Sequence, residues 1–413
     1  MQNTKQQPGP DRTENAGIHA TSALSPKSAV LLIVVISFIA MNLRSALICV
    51  GPVIESIRDS LNLSGTLAGL LMTLPILCFG FVAPLAPRLL RYRSAEQLVI
   101  MGIVILSAGL VLRSLFGTAG LFGGTFIAGA GIAIVMVVLP SIIKKYFPDR
   151  AGTVMGLYST ALCLGATAAA AFTVPIENIP GSNWQWALAF WVLPVLLCIV
   201  MWWPYSRRSG YNSAQSRNTR MPRLRSSWLA WQVSFFMGIQ SGIAYSVFGW
   251  MPVILVDRGM TPLTAGFALS LTLGIQLVTT LSAPWLATRG KNQRLVILVM
   301  LAMTLFGLMT TLYAPISGIW VWASVLGLGL GGVFSIAMAL LVLRSPSAQI
   351  AASLSGMAQG VGYTVAATGP VLVGLAHELT GNWNGVAVLF ILMVVSSGVF
   401  GMGAGRSLYV QAK

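Results

Sequence analysis

The sequence predicts an all-α membrane protein of twelve transmembrane helices, built as two six-helix repeats. Three observations predict it. Of 413 residues, 56% are hydrophobic and only 8% are charged, against about a quarter charged in an ordinary soluble domain. Apolar runs of about 18 residues or more, enough to cross about 30 Å of hydrocarbon, recur along the whole chain. Short sequence matches also recur in the same order at an offset near 200.

The elements follow in chain order. Residues 1–27 are polar, with prolines and mixed charge, and lack the apolar stretch of a cleavable signal. They read as a disordered cytoplasmic tail. The apolar runs must be helices, because in lipid each backbone amide has to be bonded within its own segment or a closed barrel. The alternating ten-residue pattern of a membrane barrel is absent. Breaking the runs at charges and Pro/Gly clusters gives a first half over 28–205, with spans at 28–55, 65–87, 95–116, 119–144, 150–175 and 184–205. The polar, basic segment 206–226 reads as a cytoplasmic linker. A second half over 227–405 has spans at 227–256, 263–288, 294–314, 316–343, 348–376 and 384–405, and residues 406–413 form a cytoplasmic tail.

The halves match one another. "PVI" at Pro52–Ile54 recurs at Pro252–Ile254, Arg58 matches Arg258, and Ala83–Pro84 recurs at Ala283–Pro284. "AGTVMG" from Ala151 faces "AASLSG" from Ala351, and Asn183–Trp184 faces Asn382–Trp383. Parallel repeats of this kind are an architecture of secondary transporters, which place their site near the midplane between the halves.

The formal charge of +16 resembles the footprint of a nucleic-acid binder. Position excludes that partner. With both termini inside, every Lys and Arg except Arg44, Arg58, Arg113 and Arg258 falls in a cytoplasmic segment. This is the positive-inside pattern of a multi-pass protein in a bacterial-type inner membrane, and the partner it implies is the lipid bilayer. Cys49, Cys78, Cys163 and Cys198 lie in apolar runs without pairing or metal spacing and read as small core residues. The glycine runs 129–134 and 327–332 lie inside apolar helices with no preceding strand. They serve close helix crossing and not nucleotide binding, and no cofactor or metal is indicated.

Arg44 is the residue that the lipid environment does not explain. It lies deep in the first span, where an arginine costs about 2.5–3.5 kcal/mol on insertion scales. The nine acids are Asp11, Glu14, Glu55, Asp59, Glu96, Asp149, Glu177, Asp257 and Glu378, and each lies in a tail or at a span end. None is placed to neutralise Arg44. An anionic substrate therefore serves as its counter-ion, since a guanidinium's planar fork matches planar anions and cannot lose its proton. A structural arginine satisfied by carbonyls is the rival reading.

Other polar side chains within the spans could complete a pocket: Asn42, Tyr158, Gln240, Tyr245, Gln276, and the pair Gln359 and Tyr363, which are four apart and share a helix face. Each could equally serve helix-to-helix hydrogen bonding. Arg113 closes the third span, where it either snorkels to the interface or draws anions to the outer mouth as a gate. Gly369 and Pro370 lie within the eleventh span and read as a gating hinge or a structural bend. Neither a histidine nor a carboxylate lies at mid-span, so intramembrane hydrolysis lacks its base, its aspartyl pair and its metal ligands. The chain reads as no enzyme, and a proton relay through such a carboxylate is likewise missing.

The layout after residue 27 resembles the major facilitator superfamily. "APLAPRLLRYRS" resembles its cytoplasmic motif with Arg88, Arg91 and Arg93 at the basic positions, although Pro87 and Leu90 replace the usual aspartate and glycine. "KKYFPDRAGTVMGLYS" is a closer match. Within the superfamily, "NLRSALICVGPVIESIR", "LAWQVSFFMGIQS" and "SLSGMAQGVGYTVAATGPVLVG" are similar to the cyanate-transporter branch, which also includes 2-nitroimidazole exporters. That resemblance implies alternating-access transport of a small anionic or nitro-bearing molecule without ATP, by a monomer. Efflux of neutral nitroaromatic or drug-like compounds is the alternative.

Overall fold

A computed structural model describes residues 26–63, 65–208, 224–290 and 292–411. Most of the N-terminal tail and of the basic linker lie outside the described residues. Twelve long helices account for nearly all of the rest. In the first half they are α1 (Pro26–Ile48), α2 (Gly65–Val82), α3 (Ala95–Leu115), α4 (Gly117–Tyr146), α5 (Ala151–Glu177) and α6, which comes in two pieces (Trp184–Ala189 and Val192–Arg208). In the second half they are α7 (Trp228–Asp257), α8 (Pro262–Arg289), α9 (Arg294–Tyr313), α10 (Ile319–Leu343), α11 (Ala348–Thr380) and α12 (Asn384–Ala404). Ten helical stretches of the described chain are long and apolar enough to cross a membrane. The helix α11 falls outside that set, and it carries the buried Ser355, Gln359 and Tyr363 along a face turned to other helices.

Local chemistry sets the ends. Ser94 caps α3 in a full capping box with Gln97, while Thr261 caps α8 and Ser347 caps α11. Gly381, at φ +63°, ends α11 in the left-handed conformation that glycine adopts freely. Three expected spans end or break early, each beside a proline, and one of them, the second, stops at Val82 just before Pro84. The first stops at Ile48 and continues as a short turn and a separate helix, Ile54–Leu61, because the ring of Pro52 opposes the carbonyl four residues back. The sixth is interrupted before Val192, since Pro194 is tolerated only in the first turn of the piece that follows.

Within each half, α1 packs on α5 and α3 on α4, while α7 packs on α11 and both α8 and α9 pack on α10. The halves meet through α5 with α8 and α10, and through α11 with α2 and α4. Side chains are omitted where backbones approach most closely. Gly165 lies directly against the Met41 carbonyl, and a Cβ on Gly369 would come within 2.7 Å of the Gly242 carbonyl oxygen. The two glycine runs do pack as expected, with Gly131 against α3 and Gly327 against α8.

Candidate substrate site

Arg44 lies one turn from the end of α1, surrounded by protein yet partly accessible, so it borders an internal space. No hydrogen bond or ion pair to a described residue satisfies it. Among the described residues, what stands against it is the ring of Phe334 on α10, 5.6 Å from the guanidinium carbon. The ionisable side chains within its electrostatic reach are Tyr245, Tyr363, Cys163 and Tyr158, with no carboxylate among them. Desolvated cation–π contact contributes about 0.5–2 kcal/mol, which does not offset the several kcal/mol that an uncompensated charge costs away from water.

Six helices from both halves build this cluster. The close approach of α1 to α5 at Gly165 sets Tyr158 and Cys163 near Arg44. The Tyr158 side chain is 0% exposed, and its hydroxyl has no partner. Helix α11 supplies Tyr363, whose ring lies 4.7 Å from that of Phe79 on α2. Helix α7 supplies Tyr245, set edge-on to Phe248, and α10 supplies Phe334. The result is a cation walled by aromatic rings and provided with hydroxyl donors. That combination suits noncovalent binding of a flat, electron-rich group: the fork holds paired oxygens and the rings take the faces.

Three of the four expected amides are engaged elsewhere, and the fourth is buried without a partner. Asn42 lies two residues from Arg44 and so about 200° round the helix. Its Nδ2 donates to the Phe38 carbonyl (2.8 Å), and the side chain lies beside Cys198 of α6. Gln240 donates within α7 to the Met237 carbonyl and to Ser241 Oγ. Gln359 donates to the Met136 carbonyl of α4 (3.0 Å) and to Ser355 Oγ, and so ties the two halves. Gln276 is buried on α8, where α8 crosses α10, with Nε2 unpartnered.

Three sequence readings need correction or completion. Arg113 neither snorkels nor lines a mouth. It is 1% exposed, donating from Nη1 to the Ala46 carbonyl (2.8 Å) and from Nη2 to Cys49 Sγ (2.9 Å). The α3–α4 contact seals it from the surface, and it pins α3 to α1. Cys163 is not a plain core residue, because it is incompletely buried and stands between Arg44 and Thr280 of α8. Helix α11 is continuous through Pro370. The Pro370 carbonyl accepts from Trp250 Nε1 (3.0 Å), and Gly369 is the point of closest approach to α7. Phe79 and Phe334 escaped the sequence reading because an aromatic ring in an apolar helix carries no signal of its own. Among the described residues no group of three His, Cys, Asp or Glu could hold a metal ion.

A family model described as Major Facilitator Superfamily matches residues 30–370. The uncharacterised transporter YycB of Bacillus subtilis is 39% identical over 92% of this chain and 94% of its own length. The 2-nitroimidazole transporter of Escherichia coli is 36% identical over 94% of this chain and 98% of its own. The cyanate transport protein CynX of the same organism is 30% identical over 85% and 91%. Among solved structures, the proton:xylose symporter XylE superposes with a TM-score of 0.74 at 14% identity, over 92% of this chain and 97% of that one. The fucose transporter FucP in its outward conformation gives 0.68 at 14% identity, over 91% and 99%.

Proposed function

Since the chain belongs to the major facilitator superfamily, and is therefore a multi-pass membrane transporter of a small molecule, we propose that it carries a small planar anion by alternating access. The anion class is cyanate-like, carboxylate or nitro-bearing, and Arg44 is the counter-ion. One observation carries this reading: Arg44 has no acidic partner among the described residues and is ringed by Tyr158, Tyr245, Tyr363 and Phe334. Tyr158 offers an unpartnered hydroxyl to the bound anion. Gly369 and Pro370 are the flexing point of α11 as the halves rock. The protein works as a monomer in a bacterial inner membrane with both termini in the cytoplasm, as its basic loops indicate. It carries out no covalent chemistry. Coupling does not run through a carboxylate of the protein, so the anion moves by facilitated diffusion, by exchange or with its own proton.

A second reading is favoured by the relative named for 2-nitroimidazole and by the aromatic walls around Arg44. The cargo is then an uncharged nitroaromatic compound that Arg44 hydrogen-bonds through the nitro oxygens, and the direction is efflux. A thermal-shift panel on detergent-purified protein separates the two, with cyanate, benzoate, 2-nitroimidazole and cationic drugs tested on wild type and Arg44→Gln. A ligand that binds only the folded state at 100 times its dissociation constant stabilises it by about 2.7 kcal/mol. Anions are expected to shift the wild type and not the variant. Equal shifts of both proteins by neutral compounds would make Arg44 structural and remove the anion reading.

A further inference from the structure

On the face that carries the basic loops, a groove of about 450 Å³ lies between the start of α3 and the end of α6. Its lining is Arg93, Gln97, Ile100, Met101, Ser206 and Arg207. Both arginines are exposed, and neither side chain has a hydrogen-bond or ion-pair partner among the described residues. Among the described residues, the nearby acid does not neutralise them. Glu96 is 1% exposed and turned to α4, where its carboxylate accepts from Lys145 Nζ (2.7 Å) and Tyr146 OH (2.9 Å). The Gln97 Oε1 accepts from the Ser94 backbone in the capping box, which leaves its NH₂ free to donate. Ser206 is tied to the Trp203 carbonyl. The described rim therefore offers two guanidinium groups and an amide donor, and its lining includes no carboxylate.

Away from the rim the lining changes character. Ile100 and Met101 lead down α3 to the exposed Val104, while α6 presents exposed Trp203, Val200 and Leu197. A cationic head grading into an apolar seam along the membrane normal complements a phosphodiester with its acyl chains. A free phosphate would use the rim alone and make no contact with the seam.

The other half shows that the fold does not require free arginines here. At the start of α9, Gln293 donates to the Ala287 carbonyl and Arg294 Nε to the Met402 carbonyl. At the end of α12, Arg406 donates to the Gly403 carbonyl and to Gln232 Oε1. The corresponding polar groups are spent on the protein itself.

We propose that the α3–α6 groove is a binding site for an anionic phospholipid, with Arg93 and Arg207 on the phosphodiester and the acyl chains along the seam. The test is native mass spectrometry of the full chain with phosphatidylglycerol, with phosphatidylcholine of the same acyl chains, and with inorganic phosphate as competitor. A basic residue near an anionic lipid contributes about fivefold in binding, so the Arg93→Gln/Arg207→Gln double variant is expected to lose about thirtyfold in phosphatidylglycerol affinity. Phosphatidylcholine binding should be unchanged. The control is Arg88→Gln/Arg150→Gln, which removes the same charge from the same face outside the groove and should lose much less. Equal losses in the two double variants would reduce the effect to general surface charge and overturn the site. Displacement of phosphatidylglycerol by millimolar phosphate would make the rim a free-phosphate site and overturn the lipid assignment.

Discussion

Two arginines enter the apolar region of the first half, and their surroundings give them opposite roles. Arg113 is bonded within the protein, to the Ala46 carbonyl and Cys49 Sγ. Arg44 has only an aromatic face beside it and keeps access to an internal space. Charge-assisted hydrogen bonds of the Arg113 kind are each worth about 1.5–3 kcal/mol. Arg113→Met is therefore expected to lower stability by about 2–3 kcal/mol, measured by thermal or denaturant unfolding in detergent, while the protein that remains folded still responds to the ligand that shifts the wild type. Arg44→Gln should do the reverse, with its stability held or raised and its ligand response lost. A loss of ligand response in Arg113→Met at unchanged stability would place Arg113 in the binding path after all. From sequence the two arginines differ only in depth, and depth alone pointed Arg113 outward. The acid inventory was the better guide, because it is complete in one dimension and left Arg44 without a counter-charge.

At the scale of the helix, the crossing of α7 and α11 shows how the site's walls are held. Gly238 lies against Gly362, Gly242 against Ala366 and Gly369, and Trp250 Nε1 donates to the Pro370 carbonyl. Small residues at this spacing let two backbones touch, which is the main source of helix association where lipid competes for apolar contact. Tyr245 and Tyr363 are carried on these two helices, so the crossing sets the distance between their hydroxyls and Arg44. Gly369→Val inserts a side chain where even a Cβ would sit 2.7 Å from the Gly242 carbonyl oxygen. Overpacking of this kind typically costs about 1–3 kcal/mol. The expected outcome is a lower melting temperature together with weaker ligand binding. A variant with native stability and binding but slowed flux would instead identify Gly369 as a pure hinge. The seam was legible as a glycine- and alanine-rich stretch, but its partner was not, since many helices carry such stretches. Each half also uses an arginine to tie its first and third helices, Arg113 in one and, in the other, Arg258, which donates to the carbonyls of Thr311 and Ala314. The repeat keeps the tie and changes which helix supplies it.

Across the whole molecule, the close contacts between the halves lie on the basic-face side of Arg44. A Cβ on Gly356 would come within 2.5 Å of Pro87, one on Gly360 within 2.7 Å of Pro84, and one on Gly156 within 3.3 Å of Pro284. The bond from Gln359 to the Met136 carbonyl lies in the same layer. Gly156 and Gly356, like Pro84 and Pro284, are partners in the sequence repeat, so the two seams that close this face are related by the internal symmetry. Alternating access requires these seams to part. A Pro87→Cys/Gly356→Cys pair, cross-linked by mild oxidant in proteoliposomes, should arrest flux, and reductant should restore it. Undiminished flux through the cross-linked protein would show that α2 and α11 need not separate during transport.

The sequence by itself determined that this chain spans a membrane as helices, how many there are, where most begin and end, that they form two related halves, and that one deep cation has no acid to pair with. These are one-dimensional facts: span length answers to bilayer thickness, capping and proline act within a few residues, and a missing carboxylate is missing in any fold. Only the tertiary structure decided which side chains meet Arg44. Asn42, its near neighbour in the chain, is rotated away to Phe38 and Cys198, while Tyr245, Phe334 and Tyr363 arrive from about 200 to 320 residues away. The reason is rotational. A helix that is apolar nearly all round has no amphipathic face to fix its azimuth, so the orientation of each wall of the site is set by the glycine contacts and carbonyl ties that its neighbours supply.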